Sequence, residues 1–402
     1  MTYRSSRRSF LQWAGLGAAA VGIGASARGD EQEKIQGFEQ QERQNGPDQG
    51  WQPTTDRKIR MGIVGFGLCQ FGAAFSLQDH PNVEVVAVSD LFPDRCQALA
   101  KACRCEKTYP SLEELVKDDQ IEAIFVATDA PSHARHCMDV LAHGKHVATA
   151  VPAVFEHAEL ADELYAAVKK SGLKYMMFET SCYHEDLYAM REIYRAGGFG
   201  QLVYSEGEYY HYEVAVLDSY KGWRIGLPPQ FYPTHSNAYY CGVSGGSFVE
   251  VSCMGMPSIR AELQPENNRY RNPFGTEIAS FRTSEGGMAR MAVSWDTPGY
   301  GGEVGRVRGQ RGSMVGMSYQ GLEEKLPDLA RPPLPPSIAL GGHGGSHGYL
   351  GHEFVTSILE NRQPLVDITW ALNMSLSGII AHQSALKNGQ LMKIPQYARL
   401  EA

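Results

Sequence analysis

The sequence predicts an α/β protein of two domains, the first of them a doubly wound parallel sheet. Three observations carry that expectation. A short apolar run at 59–64 leads straight into a Gly-x-Gly turn and a helical pattern. Further short apolar runs alternate with helical segments up to residue 149, as parallel strands joined by crossover helices do. The 402 residues also exceed what one ordinary core organises. A 43% apolar content excludes wholesale disorder. With 37 basic against 45 acidic residues, a formal −8, the chain has no global pull toward nucleic acid, and no nucleic-acid partner is expected. Eight cysteines are ordinary usage, far from a disulfide scaffold.

The chain opens on Ser6-Arg7-Arg8-Ser9-Phe10-Leu11-Gln12, followed by a weakly apolar, Gly/Ala-rich run from Trp13 to Ala27. Twin arginines before such a stretch resemble a twin-arginine export signal. The run is too short and glycine-rich for a transmembrane helix, which needs about 20 apolar residues. Ala25-Ser26-Ala27 fits a small-x-small cleavage site, so a mature start near Arg28 is expected. Residues 1–27 therefore read as an address to the periplasm or cell envelope of a bacterium, with no stable membrane insertion once removed. Losing its three arginines leaves 34 basic against 45 acidic residues, a net −11. Residues 28–57, rich in Gln, Glu, Asp, Gly and Pro, read as a polar linker or arm.

Ile59-Arg60-Met61-Gly62-Ile63-Val64 suits a parallel strand covered on both faces. Gly65-Phe66-Gly67-Leu68-Cys69-Gln70-Phe71-Gly72 follows, then an Ala-rich helical pattern. In that setting the first glycine permits a tight turn, and the second lets the backbone approach a pyrophosphate at the helix N-terminus. Gln70 occupies the third fingerprint position, where Gly72 can compensate. A second strand, Val83 to Asp90, ends in an acid 25 residues after Gly65. Asp90 there can accept from both ribose hydroxyls and repel a 2′-phosphate, which favours NAD over NADP, with Arg95 softening the preference. A helix over 111–117 precedes a third strand, 123–128. Pro131, Ser132 and His133 then open a helix that ends at Ala142-His143-Gly144-Lys145-His146-Val147-Ala148-Thr149.

Val126-Ala127-Thr128, Pro131-Ser132-His133 and Gly144-Lys145-His146-Val147, in this order, resemble the Gfo/Idh/MocA oxidoreductase family, over roughly residues 58–395. The resemblance implies an N-terminal NAD-binding Rossmann domain (58–180) and a C-terminal α+β domain (181–402) with a large open, mainly antiparallel sheet. It places Gly65, Phe66, Gly67, Leu68, Asp90, Thr128, His133 and Pro152 toward the cofactor. It also implies a homo-oligomer, dimer or tetramer, and a last helix (Trp370 to Lys387, stopped by Asn388-Gly389) that can fold back on the first domain. In ordinary dehydrogenases of the family Gly-Lys-His-Val leads into Glu-Lys-Pro, whose lysine helps move the substrate hydroxyl proton. Here the positions are Ala150-Val151-Pro152, so that amine is missing, and Lys145 is expected on the helix side, away from the chemistry.

The second half narrows the resemblance. Phe178-Glu179-Thr180-Ser181-Cys182-Tyr183, Glu206-Gly207-Glu208-Tyr209-Tyr210-His211, Trp223-Arg224, Tyr232-Pro233-Thr234-His235 and Gly342-His343-Gly344-Gly345-Ser346-His347-Gly348 appear in order. The series is similar to the NAD-dependent, α-N-acetylgalactosaminidase-like glycosidases of the family. It implies catalytic roles for Tyr209, His211, Tyr232 and His235, and substrate contacts for Trp223, Arg224, His343 and His347. The chain departs at Ala150, where that branch carries Glu, and at Ser346-His347, where it often has Met-Asp.

Tyr209 and His211 are two apart on a strand-like stretch, so they share a face. Tyr232 and His235 flank Pro233 in a turn expected to face a cleft. A histidine near its ordinary pKa of about 6.5 can take a hydroxyl proton while hydride leaves carbon, and His235 or His211 is the expected base. Tyr, at about 10, needs a neighbouring positive charge to do the same. Three readings stand: a sugar oxidoreductase with the lysine role moved to Tyr or His, a redox-neutral NAD-dependent glycosidase, and an exported binding protein with structural NAD. The glycine-rich histidines His343, His347 and His352 fit no zinc spacing, and no metal site is expected. They read as a flexible loop ending at a helix over Glu353 to Glu360. Cys103-Arg104-Cys105 reads as structural, and 331–336 as a polyproline connector.

Overall fold

A computed structural model describes residues 51–212 and 219–401. The expected export signal at 1–27, and the linker up to residue 50, lie outside the described residues.

The first sheet has six strands: β1 (Ile59–Val64), β2 (Val83–Ser89), β3 (Thr108–Tyr109), β4 (Ala123–Val126), β5 (His146–Thr149) and β6 (Tyr175–Met177). Their order is β3-β2-β1-β4-β5-β6, parallel throughout. The helices α1 (Phe71–Ala74), α2 (Pro93–Cys103), α3 (Leu112–Leu115), α4 (His133–Ala142) and α5 (Glu159–Ser171) make the crossovers. All four β4 side chains are buried, as the continuous apolar run requires of a central strand. The chain order reverses between β2 and β4 on either side of β1, and a crevice at the strands' carboxyl ends follows from that topology.

The first crossover differs from expectation. The Ala-rich helical pattern shrinks to the single turn α1, because Gln70 (φ 50°) and Ser76 (φ 54°) are both left-handed and bend the chain at each end. Gly72 does what the fingerprint's third glycine does elsewhere. A Cβ there would sit 2.4 Å from the Gly65 carbonyl oxygen, so only glycine lets the turn close on the strand.

After α6 (Glu185–Arg195) the second sheet begins with β7 (Leu202–Tyr210) and α7 (Thr234–Ser244). It continues through β8 (Phe248–Pro257), β9 (Phe274–Thr283), β10 (Met288–Ser294), β11 (Gly302–Gly309), β12 (Gly312–Val315) and β13 (Ser318–Gly321). The order is β13-β12-β11-β7-β10-β9-β8, edged by the short β14 (Met392–Lys393); β7 and β10 run parallel and the other pairs antiparallel. β9 alternates strictly, with Glu277, Ala279 and Phe281 inward and Ile278 and Ser280 outward. That pattern marks one covered face and one open face. α7 lies so close on the covered face that a Cβ on Gly207 would meet the Ser236 carbonyl oxygen at 2.0 Å.

A short irregular turn, α8 (Gly342–Gly345), leads into α9 (His347–Leu359), followed by α10 (Ile368–Ala385). The flexible glycine–histidine loop expected here is therefore mostly helix. Its glycines serve close packing: a Cβ on Gly348 would lie 2.5 Å from the Ala339 carbonyl oxygen, and one on Gly351 2.5 Å from that of Phe75. The last helix begins at an Asp367 cap whose carboxylate accepts from the Trp370 amide at 3.0 Å, and stops where Asn388 and Gly389 take positive φ. It is buried nearly throughout and packs on β8 of the second sheet and on α5 and β6 beside the first. Among the described residues no helix is long and apolar enough to cross a membrane.

Candidate active site

The crevice predicted by topology is a cleft of about 1120 Å³, its open mouth included. Val64, Ser89 and Ala127, at the ends of β1, β2 and β4, form its floor. Gly65 turns tightly (φ 103°), with its Cα so near Ala127 that a Cβ would clash with that carbonyl at 2.2 Å. A Cβ on Gly67 would meet nothing within 4 Å, so the backbone there is open to a large ligand group. Asp90 accepts from the Phe66 amide at 2.7 Å and the Phe92 amide at 2.9 Å, one on each carboxylate oxygen. Each oxygen keeps a second lone pair for a ribose hydroxyl. The open backbone at Gly67, the glycine turn and the acid together fit a dinucleotide.

Several sequence-expected cofactor residues line this cleft: Gly65, Gly67, Leu68, Asp90, Thr128 and His133. Phe66 and Pro152 act from behind the wall. Phe66 offers its amide to Asp90, and the Pro152 carbonyl lies 2.9 Å from His133 Nδ1. His133 Nε2 lies 3.1 Å from the Thr128 carbonyl oxygen, and burial holds the ring neutral, so it ties one carbonyl at a time rather than meeting ligand charge. Lys145 points away, donating to the carbonyls of Asp118 and Ile121.

A second pocket of about 500 Å³ opens off the cleft. Phe71, Ala150, Val151, Arg224 and Tyr232 line both spaces, so the missing-lysine position sits at their junction. All four expected catalytic residues come together in this inner pocket: Tyr209, His211, Tyr232 and His235. β7 aims Tyr209 inward, edge-on to the His235 ring at 4.6 Å, and His211 follows just beyond the strand's end. The Pro233 turn at the start of α7 brings Tyr232 and His235 to the same wall. Trp295, just past β10, forms the remaining side, edge-on to Tyr209 at 5.7 Å and donating its Nε1–H to the Leu227 carbonyl.

Electrostatics change the roles expected of these groups. His235 Nδ1–H donates to Glu179 Oε1 at 2.8 Å and lies 3.7 Å from Glu303 Oε2, with all three side chains at most 8% exposed. Burial alone would lower the His235 pKa; the carboxylates of Glu179 and Glu303 overcome it and lift the group to about 9. His235 is thus an imidazolium at neutral pH, not the near-6.5 base expected. Glu303 feels burial first, yet His235, His184 and His343 around it hold its carboxyl down at about 2. Burial pushes Tyr232 up to about 12 although Arg224 pulls the other way, so this Tyr is not a base near neutrality.

The four expected substrate contacts divide. His343 lines the inner pocket, while His347 stands behind it, 2.8 Å from His343 Nδ1 and packed on Phe75. Burial keeps both neutral, with pKa near 4 and 3. Arg224 lies over the Trp223 ring at 4.2 Å, so that face of the indole is covered by a cation rather than left for a sugar, although Trp223 still lines the cleft. His352 is elsewhere, paired with His80 at 3.0 Å. Glu303 and Trp295 were missed as site residues, and Glu179 was read only as part of a motif.

Residues 59–179 match the family described as "Oxidoreductase family, NAD-binding Rossmann fold". A glycosyl hydrolase family 109 protein of Solibacter usitatus is 24% identical, covering 98% of this chain and 98% of its own. One from Streptomyces niveus is also 24% identical, over 85% of this chain and 78% of its own. Scyllo-inositol dehydrogenase from Lactobacillus casei, solved with NAD(H) and scyllo-inositol, superposes with a TM-score of 0.66 at 15% identity, covering 84% of this chain and 99% of that one. At that identity the likeness is one of fold. The dinucleotide cleft is an NAD site.

Proposed function

We propose, from the premise that the chain belongs to the Gfo/Idh/MocA family of NAD-binding oxidoreductases, that it acts on a carbinol of a sugar or sugar derivative by hydride transfer. One observation carries the reading: a buried imidazolium, held by two carboxylates, faces a pocket that joins the NAD cleft at the position of the missing lysine. When bound, NAD accepts the hydride. The protein's own residues do the rest. His235 directs its second nitrogen, Nε2, at the carbinol oxygen and supplies the positive charge that Val151 cannot. His211 takes the hydroxyl proton. Tyr209, Tyr232 and Trp295 wall the ring and exclude water, which strengthens every charge interaction inside.

A second reading, redox-neutral glycoside cleavage, is favoured by the full-length match to a glycosyl hydrolase family 109 protein. Oxidation at C3 would acidify the C2 hydrogen. Loss of the C1 leaving group, addition of water and return of the hydride would then complete hydrolysis. A panel of free sugars and aryl glycosides separates the two. Growth of NADH absorbance with free sugars supports net oxidation; aglycone release without added NAD consumed supports cleavage. No turnover with either class, with NAD recovered on denaturation, would refute both and leave a binding protein.

We infer further that Arg7-Arg8 and the 13–27 run direct export by the twin-arginine route, which carries folded proteins and is compatible with NAD loaded beforehand. Met254, Met256, Ile278 and Val304, exposed on the open face of the second sheet, support a homo-oligomer joined through that face.

A further inference from the structure

We propose that Glu179, His235 and Glu303 bind one divalent first-row metal ion, of the Mn²⁺ or Zn²⁺ class, behind the His235 wall of the inner pocket. Each residue offers one ligand atom, the three lying within 4.8 Å of one another, and His235 Nδ1 is 2.8 Å from Glu179 Oε1 and 3.7 Å from Glu303 Oε2. They come from three separate elements: the turn after β6, the start of α7, and β11. Two carboxylates and an imidazole suit such an ion. Ser181 Oγ donates to Glu303 Oε2 at 2.5 Å and its amide to Glu179 Oε1 at 3.0 Å, so both carboxylates are oriented from outside, as metal ligands usually are.

One further atom points to a missing ligand. Glu179 is fully buried, yet its Oε2 accepts no hydrogen bond. Buried carboxylate oxygens are rarely left so, because each loses water without replacement. Charge balance agrees. Two carboxylates out of water need two positive charges. A divalent ion supplies both.

The ion would deepen the proposed function by taking the place of the proton on His235 Nδ1, with the ring's Nε2 still toward the carbinol oxygen, so its role in turnover rests on that reading. Its binding does not. The test therefore measures binding on purified NAD-loaded protein stripped with EDTA, by titration with MnCl₂ and ZnCl₂ in calorimetry and by metal content after dialysis. The expected result is about one ion per chain, weakened at least tenfold in Glu303→Gln and in Glu179→Gln, each checked for bound NAD. No stoichiometric ion of either metal, or unchanged affinity in both variants, overturns the proposal. X-ray absorption on the Zn²⁺-loaded wild type needs no variant to fold: an imidazole shell supports the site and its absence sinks it. Sugar turnover that is unchanged after stripping, beside measurable binding, would overturn the ion's role in turnover while leaving the hydride reading standing.

Discussion

Gly207→Ala adds one methyl group and should disable the site without touching a ligand. β7 passes beneath the first turn of α7, and the new Cβ would sit 2.0 Å from the Ser236 carbonyl oxygen, 2.8 Å from its carbon and 2.9 Å from Met291 Sδ. Real carbon–oxygen contacts begin near 3 Å, so the helix start must rise by about 1 Å. Ser236 is the residue after His235, and Tyr209 lies two along from Gly207, so the movement separates the imidazolium from the rings it faces. Overpacking of this kind costs roughly 1–3 kcal/mol of stability. A displacement of about 1 Å at the chemistry costs on the order of 10²-fold in rate. The assay is kcat on the best sugar or aryl glycoside, with bound NAD and the urea midpoint measured alongside. NAD content should stay near wild type while kcat falls. A variant within twofold of wild-type kcat would refute the claim that α7 is seated by that missing side chain.

Asp90→Ala removes the acceptor of two backbone amides and of the ribose, and should weaken NAD at least tenfold in equilibrium dialysis; undiminished retention would sink its role. His235→Ala should lower kcat by about 10²–10⁴-fold while NAD stays bound, and a fully active variant would remove His235 from the mechanism. His382→Ala removes the ring 2.8 Å from the fully buried Glu277 carboxylate, leaving it the Gln230 amide, and should cost about 3 kcal/mol in urea unfolding; a loss under about 1 kcal/mol would show that the Gln230 amide alone satisfies Glu277. Burial first, and then the His352 ring, lowers His80 from 6.5 to about 3. The folded state resists a proton that the unfolded chain accepts, so the stability contributed by neutral His80 is complete above pH 6.5. It is lost as pH falls from 6.5 toward 3, by about 1.4 kcal/mol per unit. His80→Phe should flatten the pH dependence of the urea midpoint between 6.5 and 4.5 by that amount, and an unchanged slope would contradict the assignment.

The first sheet was legible because its central strands are covered on both faces and so read as unbroken apolar runs, and because Asp90 closes the second of them. The inner pocket was half legible. Tyr209, His211, Tyr232 and His235 lie in short motifs, and alternation along β7 aims the first two. Glu303 was not, since it sits in a glycine-rich stretch and its partner Ser181 is 122 residues away; the pairing of β11 with β7 sets it opposite Tyr209. The proton on His235 was hidden for the same reason: a pKa depends on charges that the chain brings together late. Glycines misled in the opposite direction. Between 341 and 351 they were read as slack, whereas at Gly348 and Gly351 they let α9 press against neighbouring backbone.

The placement of the last helix has a consequence for the order of synthesis. β6 is complete by Met177, but α10, which packs against it, begins at Ile368. At about 5–20 residues per second, some 190 further residues delay its arrival by roughly 10–40 s. Through that interval the β6 flank of the NAD-binding layer has no permanent cover, and the Met177 amide waits for the Val366 carbonyl. The nascent chain is therefore most exposed to aggregation and to chaperones during the second half of translation, and it reaches its final packing only near release from the ribosome.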